Sequence, residues 1–280
     1  MKKRRFTAIP CQQWILDRKK ALGILKVPIK LKPKLNQRLF DERLETAQWY
    51  IEFSEREEFV VISFDETNFH EANEVAPGQC FEVLPDELDG VPINIRFGHL
   101  SKETSTQEIK VMYGMACCPY GPIYFKFFDH SDRMNRKGNK ARGVDQDFFL
   151  ENKIFEAIRE AALRVIPAGK QPFLLLDKAP GHRSKDVKER LNEVWGEDMW
   201  RLQAGKMPDA NDGDVGIFPF MKRELLKRGA TTEAQIHAKA KEIWSLVTPN
   251  VCRNVRERVI KNMEMVVHLK GGNWYDESAH

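Results

Sequence analysis

Two short apolar runs that each stop on an aspartate place the strongest constraint on the fold. The first, 59–64, is rich in β-branched and aromatic residues and leads into Asp65 and Glu66, and the second, PFLLL, leads into Asp177. Apolar runs of this length are typical of buried strands in an α/β sheet. Side chains at such strand ends leave the core and meet water, which predicts a site there. The alternative is that each aspartate is a turn residue or a helix cap.

The spacing of apolar residues predicts helices and strands in alternation around these two runs. A hairpin is predicted at Pro119, Tyr120 and Gly121. The remaining apolar periodicities predict helices over 36–53, 145–165, 183–194, 214–228, 232–246 and 251–267, and strands over 109–118, 121–128 and near 198–203. A chain of 280 residues with 42% hydrophobic residues can bury one sizeable core. These patterns favour an α/β fold.

Positive charge is concentrated at two places in the chain. Residues 1–40 contain twelve Lys or Arg residues and one acid, Asp17, although the net charge of the whole chain is only +4. The two clusters that we select as DNA-binding candidates comprise Lys2, Lys3, Arg4 and Arg5, and Arg133, Arg136, Lys137, Lys140 and Arg142. Basic clusters beside an ordinary core indicate a polyanion partner, because neutralised phosphates release counterions. A solvated face or a nuclear-import signal explains the charge equally well.

Residues 67–108 are acidic and broken by proline and glycine, which predicts an insertion between strands with at most short hairpins. Its apolar residues, among them Phe81, Ile93 and Phe97, argue against simple disorder. They are expected to be buried either against a second subunit or against their own domain.

No stretch has the roughly 20 apolar residues of a membrane span, and the basic N-terminus leads into no apolar signal segment. The five cysteines form no CxxC motif, and their odd number predicts free thiols in a reducing compartment. We expect a soluble protein, nuclear in a eukaryote and otherwise cytoplasmic. No P-loop or GxGxxG motif is present, so the sequence offers no support for a nucleotide cofactor.

A third block, PDANDGDVGIFPFMKREL, completes a set with VVISFDETNFH and PFLLLDKAPGHRSKDV. The three blocks together, in this order, resemble the catalytic domain of mariner/pogo-type DDE transposases. The resemblance places Asp65, Asp177 and Asp214 on the three catalytic acids, and His182 on a histidine of the second block. Asp212 comes nearer the usual mariner spacing from Asp177, so it remains the alternative third acid. Weaker similarity extends the match to roughly residues 33–275.

This resemblance implies a ribonuclease-H-like mixed sheet flanked by helices, with an insertion after the first strand and a helical C-terminal extension. The predicted organisation is a basic arm and amphipathic helix over 1–57, a catalytic domain over 58–228 that contains the clamp-like insertion 67–108, and a helical extension over 229–280. It also implies a dimer, because transposon ends are cut as a pair. The N-terminal helix-turn-helix domains usual in the family have no counterpart in the sequence before the first strand.

The implied chemistry is metal-dependent cleavage and joining of DNA. Carboxylates suit Mg²⁺ or Mn²⁺, and two such ions can activate a water and stabilise the leaving 3′ oxygen. Asp65 would bridge the ions, with Asp177 and Asp214 each holding one. His182 is a candidate for a phosphate contact or a structural role, and Glu66 for interacting with basic groups.

One departure from the family pattern favours a different function. Lys178 replaces an asparagine directly after the second acid, where it could contact a DNA phosphate, form an ion pair or compete with a metal ion. The alternative function is therefore a non-catalytic, transposon-derived DNA-binding or assembly protein that keeps the fold.

Overall fold

The structure, a computed structural model, describes residues 25–28, 34–69, 80–83, 111–129, 144–230 and 232–273. Most of the predicted insertion 67–108 lies outside these ranges, as do the DNA-binding candidates Lys2, Lys3, Arg4, Arg5, Arg133, Arg136, Lys137, Lys140 and Arg142. None of the described helices combines the length and the hydrophobicity needed to cross a bilayer.

The chain divides into two compact units. Of the smaller unit, the structure describes two short strands, β1 (Leu25–Pro28) and β3 (Cys80–Val83), which pair in antiparallel fashion with Leu25 opposite Val83. All other described elements belong to the larger unit.

The larger unit is built on a five-stranded mixed sheet. The strands are β2 (Phe59–Phe69), β4 (Val111–Cys118), β5 (Gly121–Phe127), β6 (Gln171–Leu176) and β7 (Trp200–Leu202). Their order in the sheet is β5-β4-β2-β6-β7. The central strand β2 pairs antiparallel to β4 and parallel to β6. Every residue of β4 is buried, as expected for a strand covered on both faces.

Helices cover both faces of this sheet. They are α1 (Gln37–Ser54), α2 (Gln146–Glu151), α3 (Ile154–Val165), α4 (Lys185–Trp195), α5 (Phe218–Lys227), α6 (Glu233–Trp244) and α7 (Pro249–His268). Side chains alternate along β2, so Ile62 and Phe64 join the core beneath α2, α3 and α4. Val61 packs with α1 and α7 on the opposite face. On that same face, α5 and α6 pack against β4.

Short polar side chains begin several of these helices. The side chains of Asn36, Ser184, Thr232 and Thr248 each accept a hydrogen bond from a backbone amide in the first turn of the following helix. An N-cap of this kind stabilises a helix by about 1 kcal/mol. These caps fix where the helices begin.

Two elements differ from the sequence-based expectation. The first strand does not end at Asp65, because its antiparallel pairing with β4 continues to Phe69. The helix expected over 145–165 is broken into α2 and α3, since Asn152 donates a side-chain hydrogen bond to the Phe148 carbonyl and Lys153 adopts a φ of 49°. The break allows phenylalanines from both short helices to enter one core.

Candidate active site

Asp65 and Asp177 occupy neighbouring positions on two parallel strands. The pairing of β2 with β6 ends at Phe64 opposite Leu176, and each aspartate is the next residue along the chain: Asp65 lies within β2, and Asp177 follows directly after β6. β6 stops there, whereas β2 continues beside β4. The two acids predicted from separate sequence blocks therefore come together at one edge of the β2–β6 pair.

Asp65 is held by two hydrogen bonds. Its Oδ1 accepts from the Glu66 amide at 2.7 Å, and its Oδ2 accepts from Asn211 Nδ2 at 3.0 Å. Burial raises the pKa of Asp65 well above the ordinary range, and the negative charges of Glu66, Asp214 and Asp177 raise it further. We call these four residues, Asp65, Glu66, Asp177 and Asp214, the acid cluster.

Asp177 has a different electrostatic environment. Its Oδ1 accepts from the Ala179 amide at 2.9 Å and lies 2.7 Å from His182 Nδ1. Burial alone would raise the pKa of Asp177, but the hydrogen bond and charge of His182, with the Ala179 amide, lower it below the ordinary value. Asp177 is consequently held in its ionised form.

His182 is fully buried and joins two members of the acid cluster. Its Nδ1 faces Asp177, and its Nε2 lies 3.2 Å from Glu66 Oε1. Burial would lower the pKa of His182, but the two carboxylates outweigh it and raise the value to about 10, so the ring is an imidazolium. With no exposed surface, the side chain is placed to position acids and not to contact a DNA phosphate. Glu66 meets a basic group here.

Asp214 approaches the cluster from a single π-helical turn, Gly213–Ile217, that precedes α5. The residue as a whole has surface accessible to solvent, but its carboxylate is largely shielded from water by the atoms around it. Desolvation of its carboxylate raises the pKa to about 6; Lys222 opposes this rise, whereas Asp177 and Asp209 add to it. The charge of Asp214 in turn raises the pKa of Asp65. The three acids thus act on one another electrostatically.

Asp212, the alternative third acid, is directed into the core. Its Oδ2 pairs with Arg256 Nη2, and only 1% of the residue is exposed. Arg256 also donates to Tyr50 Oη at 2.6 Å and to the Val61 carbonyl at 2.9 Å. Asp212 therefore fixes the loop to α7, and Asp214 is the acid that faces the cluster.

A second buried ion pair anchors the start of the same loop. Asp209 Oδ2 lies 2.8 Å from Arg43 Nη1, with both side chains almost completely buried. Arg43 also donates to the carbonyls of Lys206 at 2.7 Å and Gly271 at 2.9 Å. Gly271 has a φ of 89°, and a Cβ there would lie 2.0 Å from the Phe40 carbonyl oxygen, so only glycine fits.

Asn211 and Lys222 are functional candidates that the sequence interpretation did not select. Asn211 lies between the two anchoring aspartates, with its Oδ1 accepting from the Gly213 amide at 2.8 Å and its Nδ2 donating to Asp65. Lys222 lies one turn into α5, and the charges of Asp214 and Asp65 act on it. The signal for Asn211 was available, since the residue lies inside the third block that carries the resemblance, between Asp209 and Asp212.

A groove begins beside Asp214. It has a volume of about 510 Å³ and is lined by α5 and α7, with Phe220, Arg223, Val251 and Arg258 among its residues. The Arg223 guanidinium lies 5.9 Å from the centre of the Phe220 ring. Within the described ranges, Arg258 forms no ion pair or hydrogen bond. Two cationic side chains next to an acid cluster suit a phosphate chain.

Lys178, directly after Asp177 in the chain, forms an ion pair with a residue of α1. Its Nζ lies 2.8 Å from Glu42 Oε2 in α1. Of the three roles expected from the sequence, the structure shows the ion pair.

The acid cluster has the donor chemistry for a hard divalent cation. Its ligands would be carboxylate oxygens, which Mg²⁺ and Mn²⁺ prefer. The mutual repulsion that raises the pKa of Asp65 is the kind that such a cation relieves. Among the residues that the structure describes, no group of three or more His, Cys, Asp or Glu side chains is arranged to hold a metal ion. The carboxylates fit the ion by the type of their donor atoms, whereas no metal site is preformed among these described residues.

Comparisons with known proteins identify the fold. No protein family and no curated protein matches the sequence. Among solved structures, the chain is similar to the Mos1 mariner paired-end complex with Mn (TM-score 0.63, 17% identity, 95% of this chain and 72% of that one). It is similar to the pre-cleavage Mos1 transpososome (TM-score 0.61, 16% identity, 95% and 72%). The Mos1 transposase catalytic domain with raltegravir and Mn also matches (TM-score 0.60, 15% identity, 87% and 99%).

These similarities confirm the fold predicted from the sequence. The chain has the ribonuclease-H-like fold of the mariner transposase catalytic domain, a mixed five-stranded sheet flanked by helices.

Proposed function

We propose that this chain cuts and joins DNA in a metal-dependent reaction, as a DDE-type transposase of a mariner/pogo-like element. The observation that carries the proposal is the adjacency of Asp65 in β2 and Asp177 directly after β6, together with the charge interactions of Asp214 with both of them. The similarity to Mos1 structures, some with Mn or Mg, supports this assignment.

The catalytic acids in this proposal are Asp65, Asp177 and Asp214, which would hold Mg²⁺ or Mn²⁺. When bound, the ions supply an activated water and stabilise the leaving 3′ oxygen. The surrounding residues orient the acids: Asn211 fixes Asp65, and His182 fixes Asp177 in its ionised form. Preorganisation of this kind removes the cost of arranging charged groups during the reaction.

DNA is the proposed partner, since the Mos1 relatives in the comparison include transposon-end complexes. Arg223 and Arg258 in the groove beside Asp214 would contact its phosphates. The basic arm 1–40 and the cluster 133–142 would add affinity that depends strongly on salt and little on base sequence. Two copies would pair the transposon ends as a homodimer, and the site of action in a eukaryote would be the nucleus.

Plasmid nicking tests the proposal directly. The purified chain should nick supercoiled DNA in Mg²⁺ or Mn²⁺ and not in EDTA, and Asp177→Asn should reduce the rate by at least about 100-fold. Asp198→Asn, which removes an exposed acid from the turn before β7, is the matched control and should keep full activity. Equal nicking by the Asp177 variant and the wild type would contradict the proposal.

A non-catalytic, transposon-derived DNA-binding or assembly protein is the second candidate. It is favoured by Lys178 directly after Asp177, and by the absence of a closed metal cage among the described residues. Salt-dependent DNA binding without nicking in either metal would select this function over catalysis.

A further inference from the structure

Lys178 is next to an acid of the proposed site, yet its ammonium group is engaged elsewhere. Nζ contacts Glu42 Oε2 at 2.8 Å, and the side chains are only 32% and 23% exposed. The other oxygen, Glu42 Oε1, accepts from Arg38 Nε at 2.8 Å. Both carboxylate oxygens of Glu42 are therefore hydrogen-bonded, one to Lys178 and one to Arg38.

A lysine at this position is a hazard for a cation site. Its long, flexible stem allows the ammonium group to reach many positions around Cα. In an environment of reduced dielectric, a positive charge within a few ångströms of the acids would compete with a metal ion. One ammonium group, that of Lys222 on α5, already interacts electrostatically with Asp214 and Asp65 of the acid cluster. A second one would neutralise more of the charge that attracts the metal.

We infer that Glu42 is a positioning residue that holds the Lys178 ammonium group away from the acid cluster and so preserves the affinity of the cluster for a divalent cation. The inference rests on the proposed function. It assigns a role to a residue of α1, which lies outside the three motif blocks.

Mn²⁺ binding to the metal-free full chain, measured by calorimetry, tests this role in the absence of DNA and turnover. Glu42→Gln should weaken Mn²⁺ binding about ten-fold, because the released ammonium group can approach Asp177. Lys178→Asn should bind Mn²⁺ at least as tightly as the wild type. The double variant should bind like Lys178→Asn alone, so that removal of the lysine rescues the loss of Glu42.

Two further variants separate this tether from other effects of the substitution. Glu45→Gln removes a charge from the next turn of α1, where Glu45 pairs with Arg201 at 2.7 Å, and should leave Mn²⁺ affinity unchanged. Glu42→Asp keeps the charge but shortens the side chain, and should show a smaller loss than Glu42→Gln. Thermal unfolding of each variant shows which of them are folded, and Glu42→Asp decides the outcome if Glu42→Gln is not.

The possible failures are distinct. If the wild type binds Mn²⁺ through Asp177 but Glu42→Gln binds equally well, the tether is refuted and the proposed function stands. If Glu42→Gln weakens binding equally in the Lys178→Asn background, the effect is one of general charge and the tether is again refuted. If the wild type binds no Mn²⁺, or Asp177→Asn leaves binding unchanged, the proposed function fails and the tether fails with it.

Discussion

The loop between β7 and α5 carries aspartates in two opposite situations. Asp209 and Asp212, which we call the scaffold acids, are buried and each faces a buried arginine, Arg43 or Arg256. Asp214, two residues further on, faces the acid cluster, in which like charges act on one another. The comparison shows that an aspartate matched by a buried arginine fixes the backbone, whereas Asp214 shares its surroundings with Lys222 and with other acids. The proposed function assigns this second kind of aspartate to a cation.

The largest expected effect is on the scaffold side. Arg256→Leu leaves Asp212 buried without its partner, and breaking a buried ion pair costs about 3 to 5 kcal/mol. Urea unfolding should show a loss of this size, whereas Arg256→Leu combined with Asp212→Leu should lose less, since no charge is stranded. A loss below about 1 kcal/mol in the single variant would remove the distinction between the two groups of acids.

Asn211 links the scaffold acids to the acid cluster, and the loss of its side chain should have an effect of intermediate size. Asn211→Ala removes the hydrogen bonds to Asp65 and to the Gly213 amide, and one buried hydrogen bond contributes about 1 kcal/mol. We expect the free energy of unfolding to fall by about 1 to 2 kcal/mol and the nicking rate to fall about ten-fold. Asn211→Asp is the informative companion, because it adds a charge beside Asp65 and should lower stability further. Unchanged nicking in Asn211→Ala would show that Asp65 needs no positioning.

For the acid cluster we expect the opposite sign, because removing a charge there should raise the free energy of unfolding. Asp65→Asn removes a charge that its neighbours oppose and keeps an acceptor oxygen for Asn211, but it loses the hydrogen bond from the Glu66 amide. The metal-free protein should therefore gain no more than about 1 kcal/mol in stability. The variant should also lose nicking activity. Thermal unfolding with and without Mn²⁺ measures both sides of this effect, since the metal should stabilise the wild type more than the variant. A destabilised metal-free variant would place Asp65 with the scaffold acids.

The smallest effect is expected at the surface. Arg201 and Glu45 form an exposed ion pair, with side-chain exposures of 30% and 74%. Glu45→Gln, which leaves the contact of Arg201 with the Trp49 ring in place, should change the free energy of unfolding by less than about 1 kcal/mol, because exposed pairs are screened by water and salt. A cost comparable to that of Arg256→Leu would mean that burial does not separate these pairs.

The sequence was sufficient for the fold and for the position of the first two acids. An apolar run that ends on aspartate predicts a strand from local sequence alone. The parallel pairing of two such strands brings Asp65 and Asp177 together. It was insufficient for the choice between Asp212 and Asp214, because that choice depends on Arg256, 44 residues away. The same holds for His182, whose second partner is Glu66, 116 residues earlier in the chain. Side-chain pairing over such separations leaves no local pattern.

The prediction of a single helix over 145–165 was wrong for a related reason. The periodicity of 145–165 is that of one helix, and nothing in the spacing of its phenylalanines reports the left-handed turn at Lys153. The boundary there is set by packing of α2 and α3 into a shared core, which the period alone does not contain.

The contacts of Arg43 determine at what point during folding the loop of the scaffold acids can reach its final conformation. Its backbone partners lie 163 residues further along the chain at Lys206 and 228 residues further along at Gly271. Closing such long separations costs chain entropy before the contacts form, and such contacts slow folding. A growing or truncated chain can therefore contain every residue of the acid cluster and still not hold the loop of the scaffold acids in its final conformation. The segment after α7, which binds Arg43, must be present first.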